Sequence, residues 1–365
     1  MLKDKTVAVV VPAYNEESQI LRVLETMPNF VDKIVVVNDL STDKTSNIIA
    51  DYCKVNIVES SIDFTVKRDQ IENNPYNFAD MIVRNILEEE EKEFTPGKTI
   101  EFPRSKIVLI EHSVNGGVGA AIATGYKWCR DHSIDCTAVM AGDGQMDPNE
   151  LESICLPVLR EEVDYVKGNR LIHKAASVVI PKTRLVGNSV LSMLTKIASG
   201  YWHVSDTQTG YTAISLAGLK GIRLHRIYKS YGMPNDILVK LNIGRFKIKE
   251  IPIKPVYNIG EQSKMKIWKV IPRVSFLLTK SFFKRLFLKY FLRDFHPLFI
   301  CYFMFFSTLL IDIPLLSRLI YDYFVRHLVN DNYLMVSVLM TLSSIQFLLF
   351  GMWFDMQDNE RLHVE

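Results

Sequence analysis

Residues 7–16 read Val7-Ala8-Val9-Val10-Val11-Pro12-Ala13-Tyr14-Asn15-Glu16, and residues 34–43 read Ile34-Val35-Val36-Val37-Asn38-Asp39-Leu40-Ser41-Thr42-Asp43. Each opens with an apolar, mostly β-branched run suited to a strand buried on both faces. Each run then gives way to polar, turn-forming residues. Residues 17–27 carry a helical pattern, and residues 44–52 repeat it, with Ser41 and Thr42 ahead as caps. Strand, helix, strand, helix predicts an α/β fold with a mostly parallel sheet covered on both faces.

Further strands are predicted at 107–110, 137–140 and 165–166, with helices over 118–132 and 149–160. Ligands of such sheets bind beyond the carboxyl ends of the strands. Two more polar clusters fall at those ends: Asn115-Gly116-Gly117-Val118-Gly119 and Gly142-Asp143-Gly144-Gln145-Met146-Asp147-Pro148. Residues 57–103 interrupt the alternation and read as a partly helical insertion, with 78–87 as one amphipathic piece. Lys98-Thr99 after Gly97 is not a P-loop, because Lys92 stands where its first glycine belongs. A dinucleotide fingerprint also fails: no glycine follows the first strand, and Ile122 occupies the third small position.

The C-terminal fifth differs in kind. Residues 298–320 and 333–354 are apolar, and about 22 residues of helix span about 33 Å, enough for a hydrocarbon core. A short polar link joins them, which predicts a transmembrane helical hairpin. Asp312 precedes Pro314 inside the first span, and a carboxylate there must face protein or water, as a helix-packing contact or a functional group. Bases from Lys264 and Lys266 through Lys280, Lys284, Arg285, Lys289 and Arg293 precede the first span with no acid among them, and the link holds only Arg326. By the positive-inside rule the N-terminal domain and both termini are expected on the cytoplasmic face. Residues 274–292 mix these bases with Phe and Leu, predicting a helix on the inner membrane face, its bases toward anionic headgroups or a phosphate ligand.

The 365 residues balance 43 Lys+Arg against 41 Asp+Glu, so a nucleic-acid binder acting by bulk charge is excluded. The 5 cysteines include no C-x-x-C pair, which argues against a disulfide or zinc scaffold and suits a reducing compartment. The apolar run at 7–11 is too short for a signal-peptide core.

The strand-end clusters read together as a nucleotide-sugar site. Asp39 can accept hydrogen bonds from a base or ribose, or act as a cap. Asp143 and Gln145 offer hard oxygen ligands suited to Mg²⁺ or Mn²⁺, with diphosphate oxygens completing the shell. Gly116, Gly117 and Gly119 permit a tight turn and close approach at a helix N-terminus.

These clusters, with Gly168-Asn169-Arg170 and Asp206-Thr207-Gln208-Thr209-Gly210-Tyr211, resemble the GT-A fold glycosyltransferases of family 2. The similar branch is the polyprenyl-phosphate sugar transferases, which includes dolichyl-phosphate mannose synthase and bacterial polyprenyl-phosphate glucosyltransferases. The resemblance covers most of residues 5–260. It implies a catalytic domain over 1–262 (insertion 57–103), a basic juxtamembrane region over 263–296, two transmembrane helices over 297–355, and a cytoplasmic tail over 356–365. It implies that Pro12, Tyr14, Asn15, Glu16 and Gly117 line the nucleotide pocket and that Asp39 contacts the base. Asp143 and Gln145 match the metal motif D-x-D-x-Q, whose first carboxylate is replaced by Ala141; Asp147 either compensates or caps the next helix. Arg170 matches a basic catalytic residue at the acceptor phosphate. His173, Lys174, Lys182 and Arg184 follow in an acceptor loop, and Lys264 and Lys266 match the basic stretch leading to the membrane. The implied reaction is inverting attack by polyprenyl phosphate on a nucleotide-diphosphate sugar, in a membrane-bound homo-oligomer. Two alternatives stand beside it. One is transfer to a glycan hydroxyl, with Asp236 as base unless it merely caps a helix at 237–241. The other is a non-catalytic nucleotide-binding scaffold.

Overall fold

The computed structural model describes residues 2–55, 74–102, 105–257 and 267–364. The elements in chain order are β1 (Val7–Ala13), α1 (Ile20–Glu25), β2 (Lys33–Asn38), α2 (Thr45–Val55), α3 (Phe78–Glu93), β3 (Gly97–Glu101), β4 (Ile107–His112), α4 (Val118–Asp131) and β5 (Cys136–Val139). Then come α5 (Leu151–Leu159), β6 (Tyr165–Asn169), α6 (Ala176–Val179), α7 (Lys182–Ser199), β7 (Thr212–Ser215), α8 (Leu216–Gly221), α9 (Met233–Ile243) and β8 (Ile248–Pro252). The chain closes with α10 (Ile267–Phe287), α11 (Pro297–Tyr321) and α12 (Asp331–Glu360).

Among the described residues the strands form one sheet in the order β3-β4-β2-β1-β5-β7-β6-β8. β1, β2, β4, β5, β6 and β8 point one way, and β3 and β7 run antiparallel. Every residue of β1 is buried. Ala8 and Val10 join one core, and Val7, Val9 and Val11 join the other, as a two-residue side-chain period requires of a strand covered on both faces. The carboxyl ends of β1, β2, β4, β5 and β6, with the amino end of β7, therefore line one rim.

The insertion differs from expectation in extent. Helix α3 runs on to Glu93, and residues 97–101 add an edge strand antiparallel to β4. That strand carries almost no buried side chains, so no hydrophobic alternation announces it. Much of the remaining insertion lies outside the described residues.

Helices α11 and α12 are long and apolar enough to cross a membrane, with mean hydropathies of 2.0 and 1.9. They pack on each other, while Leu310, Leu339 and Leu349 stay exposed. Asp312 is buried between them and accepts hydrogen bonds from Ser337 Oγ at 2.7 Å and Thr341 Oγ1 at 2.6 Å. It is a helix-packing contact.

Helix α10 buries Val274, Leu278, Phe282 and Leu286 at four-residue spacing, against α7 and α9. Such side chains contribute about 1.5–3 kcal/mol each. The exposed face carries Lys280 and Lys284 beside Phe283 and Phe287, and Arg293 is exposed six residues beyond the helix. Arg285 and Lys289, expected to face headgroups, are instead buried and paired with Asp355 and Asp358 of α12. Their partners lie some 70 residues on, where the local charge pattern cannot register them. Beyond α12 the chain returns to the sheet: Ile248 N–H donates to the Leu362 carbonyl at 2.8 Å, and Val364 N–H to the Ile248 carbonyl at 2.9 Å.

Candidate active site

Asp39 follows the last residue of β2 and is only 3% exposed. Its Oδ1 accepts from Gly116 N–H at 2.8 Å and from His112 Nδ1 at 2.7 Å, and its Oδ2 accepts from Gly117 N–H at 2.7 Å. The other ring nitrogen of His112 meets Thr124 Oγ1 at 2.9 Å. Burial works against the charge, yet these donors together hold the Asp39 carboxyl below its ordinary range. Gly117 has φ 84°, and a Cβ there would lie 2.4 Å from the Lys229 carbonyl oxygen. That carbonyl also accepts from Gly119 N–H at 3.0 Å. The Asp39 carboxylate braces the turn that opens α4, the capping role open to it in the sequence. Gly117 and Gly119 admit the backbone of Tyr228 and Lys229 beside the start of α4.

The end of β1 is laced to the turn after β2. Asn15, at φ 53°, accepts from Thr42 N–H at 2.8 Å, while Ser41 Oγ accepts from Asn15 N–H at 3.0 Å and Thr45 Oγ1 accepts from Glu16 N–H at 3.0 Å. The Pro12 carbonyl accepts from Gly142 N–H at 3.1 Å, tying β1 to the loop after β5. Tyr14 is 38% exposed and Glu16 half-buried, so both line the rim between these turns.

In the loop after β5, Asp143 is half-buried and its Oδ1 accepts from Gln145 N–H at 3.1 Å. Asp147 accepts from Asn149 N–H at 3.0 Å and from Lys254 Nζ at 2.9 Å. It caps the turn into α5 and does not stand in for the carboxylate missing at Ala141. Among the described residues no three His, Cys, Asp or Glu converge as a metal cage would need. One carboxylate and one amide still fit Mg²⁺ or Mn²⁺, which keep water and substrate phosphate oxygens in their shell.

At the end of β6, Arg170 forms a two-pronged pair with buried Asp206: Nε to Oδ2 at 2.8 Å and Nη2 to Oδ1 at 3.0 Å. Burial opposes the guanidinium's charge, but Asp206 more than offsets this and raises its pKa. Asp206 is itself held by Arg170 N–H at 3.1 Å. Glu250 accepts from Ser205 N–H and Asp206 N–H at 3.1 Å, and Lys167 Nζ, fully buried, donates to the Thr209 carbonyl at 2.6 Å. Arg170 thus reaches the rim with its charge already matched, and its Nη1 turns to Tyr257 Oη at 3.4 Å. The backbone of Lys182 and Arg184 opens α7, their side chains lying outside the described set, as Lys264 and Lys266 do entirely.

Asp236, 7% exposed, accepts from Tyr228 N–H at 2.8 Å and pairs with the Lys240 ammonium. The helix here begins at Met233, so Asp236 sits in its first turn rather than ahead of it as a cap.

The profile of Glycosyl transferase family 2 matches residues 8–74 and 90–222, more than half of the chain. The chain belongs to this family. It is a glycosyltransferase, and its mixed, mostly parallel sheet is the GT-A arrangement. A UDP-N-acetylglucosamine–dolichyl-phosphate N-acetylglucosaminyltransferase of Methanococcus voltae is 28% identical over 258 residues, covering 70% of this chain and 88% of its own. An undecaprenyl-phosphate mannosyltransferase of Micrococcus luteus is 27% identical over 159 residues, covering 43% of this chain and 64% of its own. Among solved structures, glucosyl-3-phosphoglycerate synthase of Mycobacterium tuberculosis with Mn²⁺ and UDP is 15% identical, with TM-score 0.46, covering 77% of this chain and 80% of its own.

In this glycosyltransferase the sequence reading missed His112, Glu250 and Lys167. His112 had a signal available once β2 and β4 are paired. Asn38 aligns with Glu111, so the next residue of each strand, Asp39 and His112, comes into contact. Glu250 and Lys167 join loops distant in sequence and carry no local pattern.

Proposed function

We propose that this glycosyltransferase is membrane-anchored and moves a sugar from a nucleotide diphosphate to a polyprenyl phosphate, with inversion. The observation that carries the reading is the path from rim to hairpin. The segment leaving the rim at Arg170 leads into α7, and α7 packs on α10, which leads into α11. The acceptor side of the rim thus adjoins the part of the chain suited to lipid. The names of the two relatives, a dolichyl-phosphate and an undecaprenyl-phosphate transferase, support the same acceptor class.

The chemistry asks little of proton transfer. A phosphate monoester is largely ionised at neutral pH, with a second pKa of about 6, so its oxygen attacks the anomeric carbon without a base. The bond from that carbon to the diphosphate breaks, and a nucleoside diphosphate leaves. Asp143 and Gln145 are the residues that would hold Mg²⁺ or Mn²⁺, which supplies charge neutralisation for the departing diphosphate. Tyr14 and Glu16 border the donor side of the rim. Arg170, fixed by Asp206, offers oriented donors to the acceptor phosphate, joined by the bases at Lys182, Arg184, Lys264 and Lys266. By the positive-inside rule the basic face of α10 and the domain that binds the end of α12 lie in the cytoplasm. Association of hairpins into a homo-oligomer belongs to the same reading.

Transfer to a glycan hydroxyl would need a positioned carboxylate, and Asp236 is already committed. The test is transfer by purified protein in nanodiscs, with labelled nucleotide sugars, polyprenyl phosphate and Mn²⁺. The expected product is an acid-labile sugar phospholipid; label appearing only on glycan hydroxyls overturns the proposal.

A further inference from the structure

The exit of α12 is tied into the catalytic domain, and Arg285 lies at the centre of the tie. Arg285 on α10 is fully buried. Its Nη1 and Nη2 donate to the two carboxylate oxygens of Asp355 at 2.7 and 2.8 Å. Its Nε and Nη2 also donate to the carbonyls of Ala198 and Ile197, both at 3.0 Å. Those carbonyls belong to the last turn of α7, which has no partners for them within the helix and carries its partial negative charge. A single planar guanidinium thus joins a helix end and a carboxylate, a geometry that lysine cannot reproduce. Gly200 makes the junction fit: at φ 78° it closes α7, and a Cβ there would lie 2.3 Å from Arg285 Nη1. One turn further on, Lys289 donates to Asn359 of α12 at 2.6 Å and to Asn242 of α9 at 3.1 Å.

An anchor alone has no use for such a junction. A buried ion pair adds little net stability over a well-packed apolar pair of the same shape. What it does supply is a fixed register of α7, α10 and α12. Helix α7 starts where the segment from Arg170 ends, so one helix joins that segment to the junction with α12.

We propose that Arg285 is a positioning residue: by bridging Asp355 and the C-terminus of α7 it sets residues 170–181 relative to the membrane plane, making the hairpin part of the acceptor site. The kinetic consequence rests on the acceptor reading given above; the structural consequence does not.

The test uses the full chain in nanodiscs with Arg285→Lys and Asp355→Asn. Arg285→Lys keeps a cation opposite Asp355 but cannot reach both carbonyls, so it preserves the fold should Asp355→Asn fail to. The KM for polyprenyl phosphate is expected to rise about tenfold, while the donor KM and slow donor hydrolysis stay within about twofold. Amide exchange in residues 185–199 is expected to quicken about tenfold, with α2 and α5 unchanged. A merely structural role would lower transfer and hydrolysis together, in proportion to the folded fraction, and leave both KM values alone. That outcome, or unaltered exchange of α7 in Arg285→Lys, overturns the proposal. If the wild type shows no turnover on polyprenyl phosphate, the acceptor reading fails and the kinetic consequence with it, while unaltered exchange of α7 in Arg285→Lys still overturns the structural consequence.

Discussion

Asp39 and His112 meet at 2.7 Å beneath the turn that opens α4, and the carboxylate there also receives the amides of Gly116 and Gly117. This one side chain ties the end of β2 to the end of β4 and to the turn that follows it. Asp39→Asn loses the charge and must turn an amide N–H toward one of those donors. A charged hydrogen bond of this kind contributes about 1.5–3 kcal/mol, so unfolding free energy at neutral pH should fall by about that much.

The same contact has a pH signature. The folded Asp39 carboxyl lies below its ordinary value, burial opposing and the His112 and glycine donors outweighing it. In mild acid the unfolded chain therefore binds the proton first. The stabilisation is complete above about pH 4 and is lost as pH falls through the folded pKa. Urea unfolding of wild type and Asp39→Asn across pH should show a constant gap near neutrality that narrows below about pH 4. A gap constant down to about pH 2 would mean the carboxylate charge contributes nothing.

Asp143→Ala should lower donor turnover by about a hundredfold or more, because it deletes the carboxylate proposed to hold the divalent cation, and several kcal/mol of charge stabilisation would depend on that cation. Gln145→Ala should be milder, raising the Mn²⁺ concentration for half-maximal rate with a smaller loss of maximal rate. Rates measured against Mn²⁺ separate the two. Equal and metal-independent losses would remove both residues from cation binding.

Strands β1, β2, β4, β5 and β6 and the four rim clusters were legible because they are local facts: a β-branched run, then a turn, repeated at βα spacing; β3, β7 and β8 were not. The hairpin was legible for the same reason. What each rim residue does was not. Asp39 offered a base contact or a cap, and nothing local announced that β4 would bring His112 against it. Arg170 read as a base for the acceptor phosphate, and its partner Asp206, 36 residues on, had no place in that pattern. Arg285 and Lys289 looked like headgroup ligands until Asp355 and Asp358 arrived from the far side of the hairpin. Charge partners are set by topology, and the antiparallel insertion of β7 between β5 and β6 has no signature in any single window.

Asp236→Asn separates the two acceptor chemistries. The carboxylate is nearly buried, holding Tyr228 N–H and the Lys240 ammonium, so its loss should cost about 2–3 kcal/mol of stability. Turnover per folded molecule should stay within about twofold of wild type, since a phosphate acceptor requires no base. A general base would instead show a loss of about a hundredfold or more. The assay must therefore be normalised to folded protein, for instance by calorimetric enthalpy.

Ala141→Asp asks whether the missing carboxylate matters. Residue 141 is half-buried at the end of β5, and its N–H meets Met146 Sδ at 3.3 Å, a weak contact that a new side chain can leave in place. A carboxylate there would sit two residues before Asp143, in the same loop after β5. Affinity of a divalent cation rises with the number of charged ligands. Half-maximal Mn²⁺ should fall by about tenfold, and release of the nucleoside diphosphate should slow as the cation grips it harder. An unchanged Mn²⁺ requirement would show that residue 141 lies outside the cation's reach, and that Asp143 and Gln145 with the diphosphate complete the shell alone.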